Sequence, residues 1–506
     1  MGIALGVVAL IRSVAVLVLT LSVIVPAATA QYKPDQIHVS LSGTAHDAAM
    51  QPPEASHLAF QWSVSQPYLP THRPQVKVKV NDRPEQVIPA AIVGFPRDVS
   101  PPQTTDEHEA LPVYGALLRA PLRANITYQV GEPTVGFSEP ITIHGFDAPT
   151  EPARILAFGG VGYGGYSRFG QRTPGVDAPG ERTVNLALNL TPDIVLLSGN
   201  LGQSSSNKPW DGFMRLMQPL QSQVVAVPVP GELDAPENAY QLRERYVLPQ
   251  VDDQTPTAEG EETELTYHGF SVGPTYIIGL DSTKVCVPVA PTGTTGTVAP
   301  CTNGTPNTAQ LDWLKAVLED ANEDLAPAWI IVYLNKGPYV YGDDGDDLAV
   351  RQLWAPVFET FGVDLVIHSS EPFYQRTFPL RNGLPVADSL SDYTAGSSPV
   401  YVMSGAAGGS ACCTFQRPAP TWVAVTRENR TLIQIDATNQ TLTVRGLVTD
   451  TGEVVDTFTI HKPGAAVDGE VSAPTQRPTP GLAVTLVLAA IFGLAVVRRS
   501  LGARLR

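Results

Sequence analysis

A chain of 506 residues, 43% hydrophobic and 16% charged, can fill two or three cores and is too apolar for a disordered acidic tail. Its 49 acidic against 33 basic residues give a formal charge of −16, which repels phosphate backbones and argues against nucleic acid as a partner. Pro 46 and Gly 43 favour many short strands and turns over a helical bundle, and four cysteines are too few for a disulfide-dense scaffold.

Residues 1–30 read as a secretory signal: Arg12 supplies charge, Ser13 to Val25 an apolar run, and Ala28-Thr29-Ala30 a small-x-small cleavage pattern. Residues 31–148 read as a β-sandwich. Ile37 to Leu41, Val76 to Val80 and Ile126 to Val130 alternate apolar and polar positions, and no helical period interrupts them. Residues 152–462 change texture. Short apolar runs (Arg154–Phe158, Asp193–Leu197, Val224–Val227, Tyr276–Leu280, Trp329–Leu334, Asp364–Ile367) alternate with helical patterns at Arg182–Leu190, Trp210–Leu220, Gln310–Ala321 and Leu348–Phe361. That alternation predicts a layered α/β core whose functional residues lie in loops beyond the strands' carboxyl ends.

Residues 463–480 are rich in Pro, Gly, Ala and Thr and read as a stalk. Residues 481–497 form an uncharged 17-residue run, followed by the basic tail 498–506. At ~1.5 Å per residue the run reaches roughly 25 Å, and it reads as a single-pass membrane anchor. The expected placement is type I, at the cell surface or a secretory-pathway membrane, with the ectodomain outside and an unidentified extracellular ligand or protein as partner. Sequons at Asn125, Asn189, Asn303, Asn429 and Asn439 are glycosylation candidates in that setting. Cys286 and Cys301 are candidates to close one loop; Cys412 and Cys413 pair together or go elsewhere.

Several motifs fall on the predicted strand ends. They are Thr191-Pro192-Asp193-Ile194-Val195-Leu196-Leu197-Ser198-Gly199-Asn200-Leu201, then Trp210-Asp211-Gly212-Phe213, and Trp329 to Tyr339 around Asn335-Lys336-Gly337-Pro338. Val363 to Val366 and Tyr374 to Thr377 bracket a further loop, and Gly452 to Phe458 closes the series. In order and spacing these resemble the purple acid phosphatase family of binuclear metallophosphoesterases, and Pro34 to Leu41 resembles the start of its fibronectin-like domain. The resemblance covers about residues 34 to 462. It implies a fibronectin-III-like β-sandwich followed by a layered, calcineurin-like α/β sandwich.

The family's phosphoester chemistry needs two metal ions, Fe with Zn or Mn, held by oxygen and nitrogen ligands. Each implied ligand position holds another residue here. Gly160 stands for an Asp, Asn200 for the bridging Asp, and Gln203 for the Tyr. Glu232 and Leu233 stand for the Asn and the His after it, Asn335 for the strand-end His, and Ser370 and Pro372 for the paired His. Among the nine histidines, His268 and His368 fall in the strand–helix alternation and read as packing or strand-end residues. Asp343-Asp344-Gly345-Asp346-Asp347 lacks calcium-loop spacing and reads as a solvated loop. Asp234, Asp281 and Asp364 read as strand-end or capping residues. Gly159 to Gly165 reads as a flexible turn, with an anion cradle as the alternative.

The expectation is a pseudoenzyme without catalytic residues, metal or cofactor, kept as a scaffold for binding or as a structural component. The alternative is an active acid phosphatase with remodelled ligands. A former pocket filled by residues such as Leu233 and Pro372 separates the structural role from the binding one.

Overall fold

The computed structural model describes residues 34–42, 55–64, 73–96, 111–134, 136–162, 179–249, 266–287, 296–297, 308–342, 345–396, 398–409, 411 and 418–463. The amino-terminal part is an all-β unit. One sheet orders Pro34–Leu41, Ala55–Val64, Val113–Pro121 and Ala91–Gly94, all antiparallel. The other centres on Gln75–Val80 and Asn125–Glu132, and Gln86–Pro89, Gly136–Phe137 and Ile141–His144 complete it. In Gln75–Val80 the three valines are buried and the polar residues between them are not, as the period of two requires. Phe60 and Tyr128 meet between the sheets with centroids 4.5 Å apart.

Among the described residues the second part holds two seven-stranded sheets. In the first, Val225–Pro228, Ile194–Leu197 and Ala153–Phe158 run parallel, and the antiparallel block Thr431–Ala437, Thr441–Val448 and Val454–His461 extends them. In the second, Thr275–Gly279, Trp329–Tyr333, Leu365–His368 and Val400–Ser404 are parallel, with His268–Val272 and Tyr374–Thr377 antiparallel beside them and Val423–Arg427 on the edge. One continuous core joins the two: Ile155, Ile433 and Ile435 of the first sheet belong to the same cluster as Ile331, Leu365 and Val402 of the second. The alternate residues Val332, Val366 and Tyr401 belong to a separate cluster with Leu314 and Phe358.

Helices α1 (Pro179–Asn189), α2 (Asn207–Gln221), α3 (Pro236–Arg243), α4 (Ala309–Asp320), α5 (Leu348–Leu353) and α6 (Ala355–Thr360) fill the crossovers. Helix α2 buries Trp210, Phe213, Met214, Met217 and Leu220, one face of a 3.6-residue period, each worth ~1.5–3 kcal/mol of transfer free energy. Pro219 has no N–H to continue that ladder, and the helix stops two residues later. The helical pattern over Leu348–Phe361 is two short helices, because Pro356 cannot continue α5 but fits the first turn of α6. Helix α3 has no counterpart among the expected elements: Glu237, Asn238 and Ala239 all lie at positive φ inside it, which hides it from propensity reasoning.

The sandwich is seated on the α/β part through its first strand. Ile37 N donates to Gln218 Oε1 at 3.1 Å, and Arg215 pairs with Asp35 at 2.8 Å. Polar side chains of α2 thereby satisfy an edge that would otherwise present open backbone groups.

Among the described residues no helix is long and apolar enough to cross a membrane. The single-pass anchor, the type I topology and the cell-surface placement are therefore withdrawn, together with the extracellular partner they implied. A 17-residue run reaches only roughly 25 Å, short of a ~30 Å hydrocarbon core. Residues 1–30, 464–480, 481–497 and 498–506 lie outside the described residues, as do Asn303, Cys301, Cys412 and Cys413. Cys286 is disulfide-bonded.

Candidate functional site

The parallel strands of both sheets end at one place. Asn335, just past Trp329–Tyr333, is fully buried and bridges the sheets. Its Nδ2 donates to the Ser198 carbonyl at 3.2 Å and to Ser369 Oγ at 3.1 Å, and its Oδ1 accepts the Glu232 N–H at 3.1 Å. Ser369 Oγ also donates to the Ser198 carbonyl. One amide therefore ties together the loops after Ile194–Leu197, Val225–Pro228, Trp329–Tyr333 and Leu365–His368.

Asn200 sits at φ +54°, a conformation that Asn tolerates better than most residues, and its Oδ1 accepts the Leu233 N–H at 3.1 Å. Asp234, 1% exposed, accepts from Leu201 N at 2.8 Å, Gln203 N at 3.0 Å and Gly231 N at 3.2 Å. Burial pushes its carboxyl up to about 6, against the pull of those backbone donors.

Gly160 lies where the loop after Ala153–Phe158 meets the loop after Val400–Ser404. Its φ is +64°, and a Cβ there would stand 1.7 Å from the Gly405 carbonyl oxygen. Gly160 N donates to Gly199 O at 3.0 Å, while Gly160 O accepts from Gly408 N at 3.2 Å and Gly409 N at 3.0 Å. The carbonyl of Gly159 accepts Ala407 N at 3.1 Å. The Gly159 and Gly160 N–H groups point at carbonyls, at Ser404 and Gly199, so neither is available to an anion cradle. The rest of that glycine-rich turn, residues 163–165, lies outside the described residues.

The remaining positions do not converge on that centre. Glu232 is exposed and pairs with Lys336 at 3.3 Å, and Gln203 is exposed. Leu233 is 49% exposed, which does not favour the filled-pocket alternative at this position. Ser370 and Pro372 are half-buried, with Ser370 Oγ donating to Met403 Sδ at 3.8 Å. His368 is fully buried, and neither ring nitrogen has a hydrogen-bond partner among the described residues; burial lowers it to about 3. His268 shares a 2.6 Å bond with the Tyr333 hydroxyl and is lowered to about 3 by the same cause.

Two acidic residues behave unlike the solvated loop expected for them. Asp346 is buried, accepts Val340 N at 2.8 Å and pairs with Arg351; Asp347 is buried and caps α5 by accepting Val350 N at 2.9 Å. Asp281 caps the turn Ser282–Lys284, and Asp364 accepts Ile330 N at 3.0 Å, as expected of strand-end residues. Of the sequons, Asn125, Asn189 and Asn439 are exposed and Asn429 is half-buried. Sequence reasoning missed Ser198, Ser369 and Gly405, because a carbonyl, a hydroxyl and a missing side chain carry no motif. The small-residue run Gly405-Ala406-Ala407-Gly408-Gly409 was the signal for a close backbone approach.

No family model matches the chain. The structure of purple acid phosphatase PPD1 from yellow lupin seeds superposes with a TM-score of 0.67 over 88% of this chain and 78% of that one, at 17% identity. PhoD superposes at 0.52 over 86% and 92%, at 10% identity. Acid phosphatase type 7 of Danio rerio is 26% identical over 240 residues, 43% of this chain and 49% of the relative; that of Mus musculus is 26% identical over 230, 42% and 47%. An uncharacterized protein of Mycobacterium tuberculosis is 32% identical over 120 residues, 23% and 21%. The matches thus span from a fifth to about half of these curated relatives' length. The fold is that of a metallophosphoesterase with an amino-terminal β-sandwich. Within that class the chain is purple acid phosphatase-like.

Proposed function

We propose that this purple acid phosphatase-like chain is a pseudoenzyme: the scaffold persists, the binuclear metal centre is gone, and the protein serves in binding or as a structural component. The observation that carries the reading is Gly160. A carboxylate there would have to pass through the Gly405 carbonyl from a left-handed backbone, so the loop after Ala153–Phe158 leaves no room for a ligand at that position.

On this reading the residues at the strand ends do not fit a pair of metal ions. Both amide hydrogens of Asn335 are donated and its oxygen is engaged, so it is committed to holding loops. Asn200 supplies a neutral oxygen already accepting from Leu233, where a bridging ligand needs negative charge for two cations. The buried carboxylate, Asp234, is spent on backbone donors. No hydrolytic step is derived through these residues.

The test is phosphomonoester turnover by the full-length protein with and without added Fe³⁺, Zn²⁺ and Mn²⁺, with metal content measured in parallel. The expected result is no turnover and no stoichiometric metal. Two equivalents of bound metal with metal-dependent turnover would establish the alternative, an active acid phosphatase with remodelled ligands.

A further inference from the structure

His38 lies in the seam between the sandwich and the α/β part, 2% exposed. Its Nδ1 is 2.7 Å from the Gln36 carbonyl on its own strand, and its Nε2 is 2.7 Å from the Arg245 carbonyl across the seam. A carbonyl oxygen accepts and never donates. A neutral imidazole has one N–H, so at 2.7 Å one of the two contacts would set lone pair against lone pair. Only the imidazolium satisfies both. The strand is shaped for this arrangement: its register shifts between Asp35 and His38, and Gln36 sits at φ +54°, which is where a bulge re-aims a backbone carbonyl.

We propose that His38 is a proton-charged latch whose imidazolium clamps one carbonyl on each side of the seam. The charged and titratable groups around it are Arg245 and Tyr246 from the segment after α3, Asp211 and Arg215 from α2, and Asp35 on its own strand. Ala55–Val64 offers the neutral Gln61, Asn125–Glu132 offers Tyr128, and Val225–Pro228 offers no titratable side chain. Arg245 is itself fully buried and pairs with Asp211 at 2.8 Å. Burial and the Arg245 charge lower the imidazole, toward about 4, and the two carbonyls raise it. The paired 2.7 Å contacts decide for the proton, since no neutral tautomer accommodates them.

On this proposal the two carbonyl acceptors keep the proton on the ring against the lowering that burial causes, so its contribution is complete below the ordinary 6.5 and is lost as pH rises through the folded value. The test uses the full-length protein labelled with ¹⁵N-histidine. Both ring nitrogens of His38 are expected to be protonated at about pH 7; one protonated and one bare nitrogen overturns the proposal. A second readout is hydrogen exchange at the Ile37 amide, which is bonded across the seam to Gln218. Corrected for base catalysis, seam opening should rise up to about tenfold per pH unit above ~6.5 until the ring has titrated, and His38→Gln should abolish that slope. Opening that increases on acidification instead would refute it, and the ring measurement on the unaltered protein stands even where His38→Gln does not fold.

Discussion

Gly160→Ala isolates the contact on which the functional reading rests. The added methyl meets the Gly405 carbonyl oxygen at 1.7 Å and its carbon at 2.6 Å, both backbone atoms of a segment whose neighbours Ser404, Ala407, Gly408 and Gly409 are hydrogen-bonded to Gly159 and Gly160. A non-glycine residue at φ +64° costs ~1–2 kcal/mol, and forcing the loops apart costs a further ~1–3 kcal/mol. The sum, ~2–5 kcal/mol, lowers the melting temperature by roughly 4–10 °C at ~2 °C per kcal/mol. Gly362→Ala is the matched control: φ is +71° there with nothing within 4 Å, so it carries the conformational cost alone. Thermal unfolding followed by circular dichroism compares the two. Gly160→Asp, which places there the residue that the resemblance implies, adds the desolvation of a carboxylate and should fall further still. If Gly160→Ala melts with Gly362→Ala, or if Gly160→Asp folds normally and takes up metal, the closed-loop reasoning is wrong.

Asp234→Ala should cost ~2–4 kcal/mol, because the N–H groups of Leu201, Gln203 and Gly231 lose their acceptor; denaturant midpoints measure it, and a loss below ~0.5 kcal/mol would contradict the role given to Asp234. With its carboxyl raised from 3.8 to about 6, Asp234 stabilises fully below about pH 4 and loses that contribution as pH rises through 6. The gap between the unaltered protein and Asp234→Asn should therefore move toward the variant by roughly 3 kcal/mol between about pH 4 and pH 7. His368 behaves in the opposite sense. Lowered to about 3, it contributes above pH 6.5 and loses that contribution as pH falls, so His368→Met should gain relative stability steadily below 6.5. Near neutrality the same variant should be ~1–3 kcal/mol more stable, since two unpartnered buried nitrogens are removed; a destabilised variant would point to a partner for that ring. Asp211→Ala should cost ~3–5 kcal/mol, for it strands the buried Arg245 guanidinium, and Asp211→Asn should recover part of the loss.

The order of strands and helices was legible because each rests on a local period. Val76, Val78 and Val80 alternate, and the apolar face of α2 repeats at helical spacing, whatever they later pack against. Asp281 and Asp364 were legible for a similar reason: an acidic residue just beyond or before a strand has backbone donors at hand. The acidic run at 343–347 misled, because Asp346 is drawn in by Arg351 and the Val340 N–H, neither of which composition can place beside it. Leu233 was undecided from sequence: its bulk allowed a plug or a surface position, and the loop after Val225–Pro228, with the Leu233 N–H donated to Asn200, leaves it exposed.

By itself the sequence determined which side chains stand at the strand ends: Gly160, Asn200 and Asn335 are properties of the chain alone. Only the tertiary structure decided what those residues do. Gly160 is closed by a carbonyl 245 positions away in the chain (405 − 160), and Asn335 joins loops from both sheets. The same holds for the ring of His38, whose second acceptor arrives from the far side of the seam. Local pattern sets where backbone groups are; whether a space between loops is open, filled or bonded shut depends on long-range packing, which no window of sequence contains.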